Sequence, residues 1–372
     1  MKKKILFVTS TRADFGKLKS LIKITKKNKK FSAHIIVTGM HMMHTFGDTN
    51  TEITNFFKLN VIKFRNQRFK DNLDIVLTNT VKKFSKIIKK IKPDLIVIHG
   101  DRIESLGCAL VGSLNYILTA HVEGGEISGN IDDTIRHAVT KLSHIHFVGN
   151  NKAKKRVLSM GEKKNSVFTI GSPDMDILLS KKLPTIKLVK KRYGIKFKNY
   201  AILLWHPTTS RIYSLKKDTI KLINFVNDYN QNFVVIYPNN DPGTEIILES
   251  YNKLLKNKKN RIFESLRFEQ FISLLKNSKF IIGNSSSGIY EAPVLGVPTI
   301  NIGDRQHRRL NTRAIKNLKV ESLNKYSVDN FLNNYKQIKK KYFGDGNTAK
   351  RFIQTISKDT FWKISKQKYY SE

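Results

Sequence analysis

Between Arg102 and Arg136 the chain has neither lysine nor arginine, although 68 of its 372 residues are one or the other. Composition alone would place about six basic residues in that window. Cysteine is scarcer still: Cys108 stands alone, which excludes an intrachain disulfide framework and any cysteine-based zinc cluster, and fits a reducing compartment. Ten histidines show no metal-ligand spacing. Only eight prolines, with 40% hydrophobic residues, exclude a disordered chain. No stretch reaches the roughly 18 uninterrupted apolar residues of a membrane span. Lys2-Lys3-Lys4 and the apolar Ile5–Val8 open like a secretory signal, but Thr9, Arg12 and Asp14 follow, so its hydrophobic region is missing. A cytoplasmic protein is expected.

What the window does contain is acid: Glu104, Glu123, Glu126, Asp132 and Asp133, among small residues and Gly107, Gly112, Gly124, Gly125 and Gly129. A merely buried segment would exclude carboxylates as firmly as ammonium groups. The window therefore reads as an acid/base site whose carboxylates are not neutralised by neighbours. The net charge of +39 invites a nucleic-acid or anionic-membrane reading. However, the lysines are dispersed along the chain, as at Lys82, Lys83, Lys86, Lys89 and Lys90, which suits a solvated surface and weak, salt-sensitive binding to polyanions.

Short apolar runs alternate with amphipathic stretches. Residues 5–8, 35–37, 95–98, 116–121 and 145–148 read as strands buried on both faces, separated by helices near 16–28, 72–91, 103–114, 133–142 and 151–160. After a pause from Gly171-Ser172-Pro173 to Gly194, strands at 201–205, 233–237, 280–282 and 297–302 alternate with helices near 215–228, 243–257, 267–276 and 287–295. This is the α/β pattern of doubly wound parallel sheets. It predicts a Rossmann-like domain over 1–180, a second over 185–345, and a terminal helix, 348–366 within 346–372, crossing back to the first.

Ligands of such sheets bind beyond the carboxyl ends of strands. Ser10–Gly16 follows the first strand; Arg12 and Lys17 there suit phosphate or a substrate hydroxyl, although the segment lacks a dinucleotide fingerprint and equally fits a plain loop. His99-Gly100-Asp101-Arg102 ends another strand, as site or as structural ion pair. His121-Val122-Glu123-Gly124-Gly125-Glu126 ends the next, its glycines leaving room for a ligand. Asp132, Asp133, Arg136 and His137 open a helix, where one aspartate suits an N-cap. In the second half His206-Pro207 and Tyr237-Pro238-Asn239-Asn240-Asp241 end strands. Gly283-Asn284-Ser285-Ser286-Ser287-Gly288 leads into a helix containing Glu291. Hydroxyls and free N–H groups at such a helix start suit a diphosphate, and a capped turn without ligand is the alternative. Arg305 follows the next strand, placed to neutralise phosphate.

Together Thr11–Gly16, Thr38-Gly39-Met40-His41-Met42-Met43, His99–Arg102, His121–Glu126, Asp132–His137, Gly171–Pro173, Tyr237–Asp241 and Gly283–Glu291 resemble, in order and over nearly the whole chain, the hydrolysing UDP-N-acetylglucosamine 2-epimerases of bacterial sialic-acid synthesis. Non-hydrolysing relatives carry a glutamine-histidine pair after the Thr-Gly turn; Met40-His41 stands here and favours the hydrolysing branch.

The resemblance implies a glycosyltransferase-B-like pair of Rossmann domains with a cleft between them. It also implies conversion of UDP-N-acetylglucosamine and water to N-acetylmannosamine and UDP, without metal or NAD, in a homodimer or homotetramer. The C2 proton is not beside a carbonyl, so loss of UDP must lead, acidifying that proton through oxocarbenium character at C1. Elimination gives 2-acetamidoglucal, and hydration gives the epimer. By resemblance, Asp101, Glu123 and Asp132 match the essential carboxylates, with Asp133 in support, and His206 an acid for the leaving group. Ser285, Ser286 and Arg305 would hold diphosphate and Glu291 ribose; Arg12, Lys17, Arg136, His137, Asp176 and Asn239 match positions lining the cleft. A diacetamido sugar nucleotide on the way to legionaminic acid is the alternative substrate, and a glycosyltransferase of the same fold the alternative class.

Overall fold

Strand formation follows the apolar runs. A computed structural model describes residues 2–47, 49–57, 60–128, 131–208, 211–255, 258–306, 308–337 and 342–371. Two compact units divide the chain: unit one takes residues 1–126, 132–180 and 343–372, and unit two takes 127–131 and 181–342.

Unit one is built on β1 (Lys3–Thr9), β2 (Phe31–Val37), β3 (Val61–Lys63), β4 (Leu95–His99), β5 (Leu118–Val122), β6 (Ile145–Val148) and β7 (Val167–Thr169). They form one parallel sheet in the order β3-β2-β1-β4-β5-β6-β7. Alternate side chains point to opposite faces, so Ile5, Phe7, Leu95 and Val97 join one core while Leu6, Val8, Ile96 and Ile98 join the other. Phe352, Ile356 and Phe361 of the terminal segment complete the first of these cores, Phe352 meeting Phe147 edge-on at 5.0 Å. The segment departs from a single long helix: it is helical over Thr348–Ile356 and then tightens into a 3₁₀ turn, Asp359–Lys363.

Unit two holds β8 (Ala201–Leu204), β9 (Phe233–Ile236), β10 (Asn260–Phe263), β11 (Ile281–Gly283), β12 (Thr299–Ile302) and β13 (Ile315–Leu318). Their parallel order is β10-β9-β8-β11-β12-β13. The predicted α/β class with two Rossmann-like halves is what the chain forms. Chain order reverses between β1 and β4 in one sheet and between β8 and β11 in the other, and such switch points are where open sheets leave a crevice at their carboxyl ends. Four strands, β3, β7, β10 and β13, were not expected; each is only three or four residues long and partly exposed at or near an edge. The pause before Gly194 contains a helix, Ile186–Tyr193. Gly129 and the last two positions of the helix predicted over 243–257 lie outside the described residues. Among the described residues no helix is long and apolar enough to cross a membrane.

Candidate active site

At the switch point of unit one, three segments bring ionisable groups together. After β1, Thr11 and Asp14 form a reciprocal capping box that starts the helix Arg12–Lys27. The same Asp14 carboxylate accepts the Ser10 hydroxyl at 2.7 Å and faces His99 Nδ1 at 3.4 Å. His99 ends β4, and its Nε2 lies 2.8 Å from Glu123, which follows β5. Lys17, one turn beyond Asp14, donates to both Glu123 oxygens at 2.9 Å and lies 3.2 Å from Asp174. Ser172 also donates to Glu123. Glu123 holds a left-handed backbone, φ 63°, an uncommon conformation for a side-chain-bearing residue.

These contacts fix the charges. Burial would raise the Glu123 carboxyl, but Lys17, His99 and Ser172 hold it well below the usual carboxylate range. Burial would likewise lower the His99 pKa, yet Asp14 and Glu123 raise it to about 9. Asp14, pushed up by burial, is brought down by His99 and Ser10 to about 2.

A second ion group stands beside the first. Arg136, buried on the helix Ile131–Leu142, donates to Asp101, to Asp133 at 2.7 Å and to the Glu126 carbonyl at 3.2 Å. Asp132 and His137 lie half-buried on that helix, where burial and Arg136 lower the His137 pKa. Both aspartates fall in its first turn. His121 ties the helix to the Asp101 turn, bonding the Gly100 carbonyl at 2.8 Å and Thr140 at 3.0 Å. Burial lowers its pKa to about 3, so it serves as a neutral strut.

Several expectations are corrected here. The window's carboxylates are neutralised, by Lys17 and His99 from outside it and by Arg136 at its edge. Gly124 and Gly125 make room for the protein itself: a Cβ on Gly124 would lie 2.8 Å from His121 Nδ1, and one on Gly125 2.5 Å from the Ala153 carbonyl. Glu104 is buried, accepting from Asn66 and Gln67 side chains, and Glu126 accepts from Asn150. Lys17 is a partner of carboxylates, and Arg12 lies 3.5 Å from Glu52. Asp176, expected to line the site, receives the backbone N–H groups of Thr348 and Ala349 at 2.8 Å, anchoring the terminal helix. His99, Asp14, Ser172 and Asp174 were not selected as site residues from sequence, since only their contacts across distant segments, Asp14 with His99 and the others with Glu123 or Lys17, mark them.

Unit two gathers a different set. Gly283, φ 131°, lets β11 end hard against β8, where a Cβ would lie 1.9 Å from the Leu204 carbonyl. Asn284 then bridges the switch point, its side chain accepting the His206 N–H at 2.7 Å and donating to the His206 carbonyl at 2.8 Å. His206 Nδ1 accepts the Asn239 N–H at 3.0 Å, so the neutral ring carries its proton on Nε2. Arg305 and Gln306, after β12, donate to the Asn284 carbonyl at 3.3 and 3.0 Å. Ser285 caps a 3₁₀ turn over Ser286–Gly288, accepting the Ser287 N–H at 3.3 Å. The helix predicted over 287–295 is therefore divided, and Glu291 opens a separate short helix, Glu291–Leu295. Thus His206, Asn239, Ser285 and Arg305 are joined through one hydrogen-bonded loop system, with Ser286 half-buried in the adjoining turn. Among the described residues no group of three His, Cys, Asp or Glu side chains could hold a metal ion.

Residues 23–357 match the family model described as UDP-N-acetylglucosamine 2-epimerase. The chain is 41% identical to the UDP-N-acetylglucosamine 2-epimerase of Neisseria meningitidis serogroup B over 99% of this chain and 98% of that one. It is 30% identical to the UDP-N,N'-diacetylbacillosamine 2-epimerase (hydrolyzing) of Legionella pneumophila, and 31% to the polysialic acid biosynthesis protein P7 of Escherichia coli. Each of those two alignments covers 96% of both partners. The family match takes in the strand-end residues of both units from His99 onward, the Neisseria alignment covers nearly the whole chain, and the chain belongs to the UDP-N-acetylglucosamine 2-epimerase family.

Proposed function

We propose that this chain is a hydrolysing epimerase that converts UDP-N-acetylglucosamine and water to N-acetylmannosamine and UDP for sialic-acid synthesis. The observation that carries the reading is the largely buried carboxylate Glu123, its side chain 12% exposed, set at a strand end between two cations and beside the Asp101–Arg136 pair. Cleavage of the C1–O bond sends the electron pair to UDP and leaves positive charge on the sugar ring. Glu123, anionic at neutral pH, meets that charge and stays ionised through the reaction. The C2 proton leaves to a carboxylate, giving 2-acetamidoglucal. Water then adds its hydroxyl to C1, and a proton returns to C2 on the opposite face. Asp101, a quarter exposed, and Asp132 exchange these protons.

The nucleotide falls to the unit-two set. His206, with its proton on Nε2, donates to the departing phosphate oxygen; Arg305 and the Ser285-Ser286 turn balance the diphosphate, and Glu291 accepts ribose hydroxyls. Water as the second substrate, and the sialic-acid role, are supported by Met40-His41 and by the names of the Legionella and Escherichia relatives. His41 is wholly buried between the Thr9 and Thr49 hydroxyls, and burial lowers its pKa to about 3.

The Legionella relative also favours a second reading, the same chemistry on the diacetamido sugar nucleotide. Incubation with each nucleotide sugar, followed by mass spectrometry of free sugars, decides between them. Free N-acetylmannosamine and UDP, formed without an acceptor, are expected. Preferred turnover of the diacetamido compound would overturn the substrate assignment.

A further inference from the structure

We propose that Asp14, His99 and Glu123 form a charge relay, in which Asp14 holds the His99 ring and His99 holds the Glu123 carboxylate, making Asp14 and His99 positioning residues. The inference rests on the epimerase reading and adds two residues to it.

The geometry is that of a buried line. Asp14 is 6% exposed and His99 8%, and the imidazole spans them with Nδ1 3.4 Å from Asp14 and Nε2 2.8 Å from Glu123. Asp14 is itself fixed by Ser10 and by the backbone N–H groups of Ser10 and Thr11, so one end of the line is anchored to the helix start. Both ring nitrogens face carboxylates, and only an imidazolium can donate to both. The other groups facing the line among the described residues are Lys17 and Asp174 beyond Glu123, Arg102 and the neutral His41 near Asp14, and the neutral His121 in the neighbouring strand. With Lys17 on its other side, the carboxylate is oriented from two directions in a strained backbone conformation. The His99 proton stays on the ring through the reaction; its task is to keep Glu123 ionised and aimed.

The relay predicts a distinctive pH signature. His99 is pushed up to about 9, so wild-type kcat should fall as pH rises through that value, when the cation beside Glu123 is lost. Full-length protein labelled with ¹⁵N-histidine reports the ring directly, the His99 signal being identified by its loss in His99→Gln. In wild type it should titrate near pH 9, and Asp14→Asn should lower both that midpoint and the alkaline limb of kcat by about one pH unit or more. His99→Gln, which keeps an amide donor for Glu123, should lower kcat by about 10- to 100-fold with KM little changed. It should also remove the alkaline limb. A thermal melt checks folding of each variant, and Asp14→Asn carries the test should His99→Gln fail to fold. His99 titrating below pH 7 in wild type, or an alkaline limb unmoved by Asp14→Asn, overturns the relay. Failure of the wild type to release free sugar would instead overturn the epimerase reading, while the imidazole titration still tests the relay.

Discussion

In unit one the strand-end residues are charged and paired with opposite signs: Asp14, His99, Glu123, Lys17 and Asp174 in one line, and Asp101, Arg136 and Asp133 in another. In unit two they are mostly neutral, with amide, imidazole and backbone groups of His206, Asn239 and Asn284 interlocked and Arg305 reaching in beside them. Both sets sit where sheet order reverses, so topology alone does not account for the contrast. Opposed buried charges hold ionisation states fixed while charge develops and moves on a substrate. Neutral donors around an arginine suit a group that remains an anion throughout. On the proposed function, the first set does chemistry on the sugar and the second retains the nucleotide.

That division can be broken by substitution. The largest effect is expected in unit one: Asp101→Asn, Glu123→Gln and Asp132→Asn should each lower kcat by about a thousandfold or more, with UDP affinity within threefold of wild type by calorimetry. Loss of UDP affinity in step with turnover would abolish the distinction between the units. A smaller effect of opposite kind is expected from Asn284→Ala, which removes the bridge between β8 and β11. Two part-buried backbone groups of His206 lose their partners, at a cost of up to about 1–3 kcal/mol each where water does not replace them. UDP affinity should fall about tenfold and the melting temperature should drop, while saturated turnover changes less than in the carboxylate variants.

What could be read in advance followed the physics of each segment. Runs such as Leu95–His99 and Phe233–Ile236 are apolar throughout because both sheet faces are covered, and they announce themselves. Val61–Lys63 and Ile315–Leu318 are half-exposed edge strands whose pattern is too short to mark them. The terminal helix was read as continuous because its amphipathic spacing persists, yet beyond Ile356 the chain tightens so that Phe361 joins the first core and the Trp362 ring N–H bonds the Ile356 carbonyl. Glu123 and Asp132 stood out because the surrounding sequence is free of basic residues, and Asp101, beside Arg102, through its strand-end position and the family resemblance. Lys17 was read as a partner of phosphate or a substrate hydroxyl rather than of Glu123, and His99 was not selected, since Lys17 lies 106 residues from Glu123 and only folding brings it to 2.9 Å. The missing lysines of the window thus mark a place supplied with its cations by other segments.

The reaction run in deuterated water tests the central claim most directly. If the carboxylates of unit one remove and return the C2 proton, the N-acetylmannosamine released must carry one solvent deuteron at C2, visible by mass spectrometry and proton NMR. Free N-acetylmannosamine with its original C2 proton retained would contradict the account.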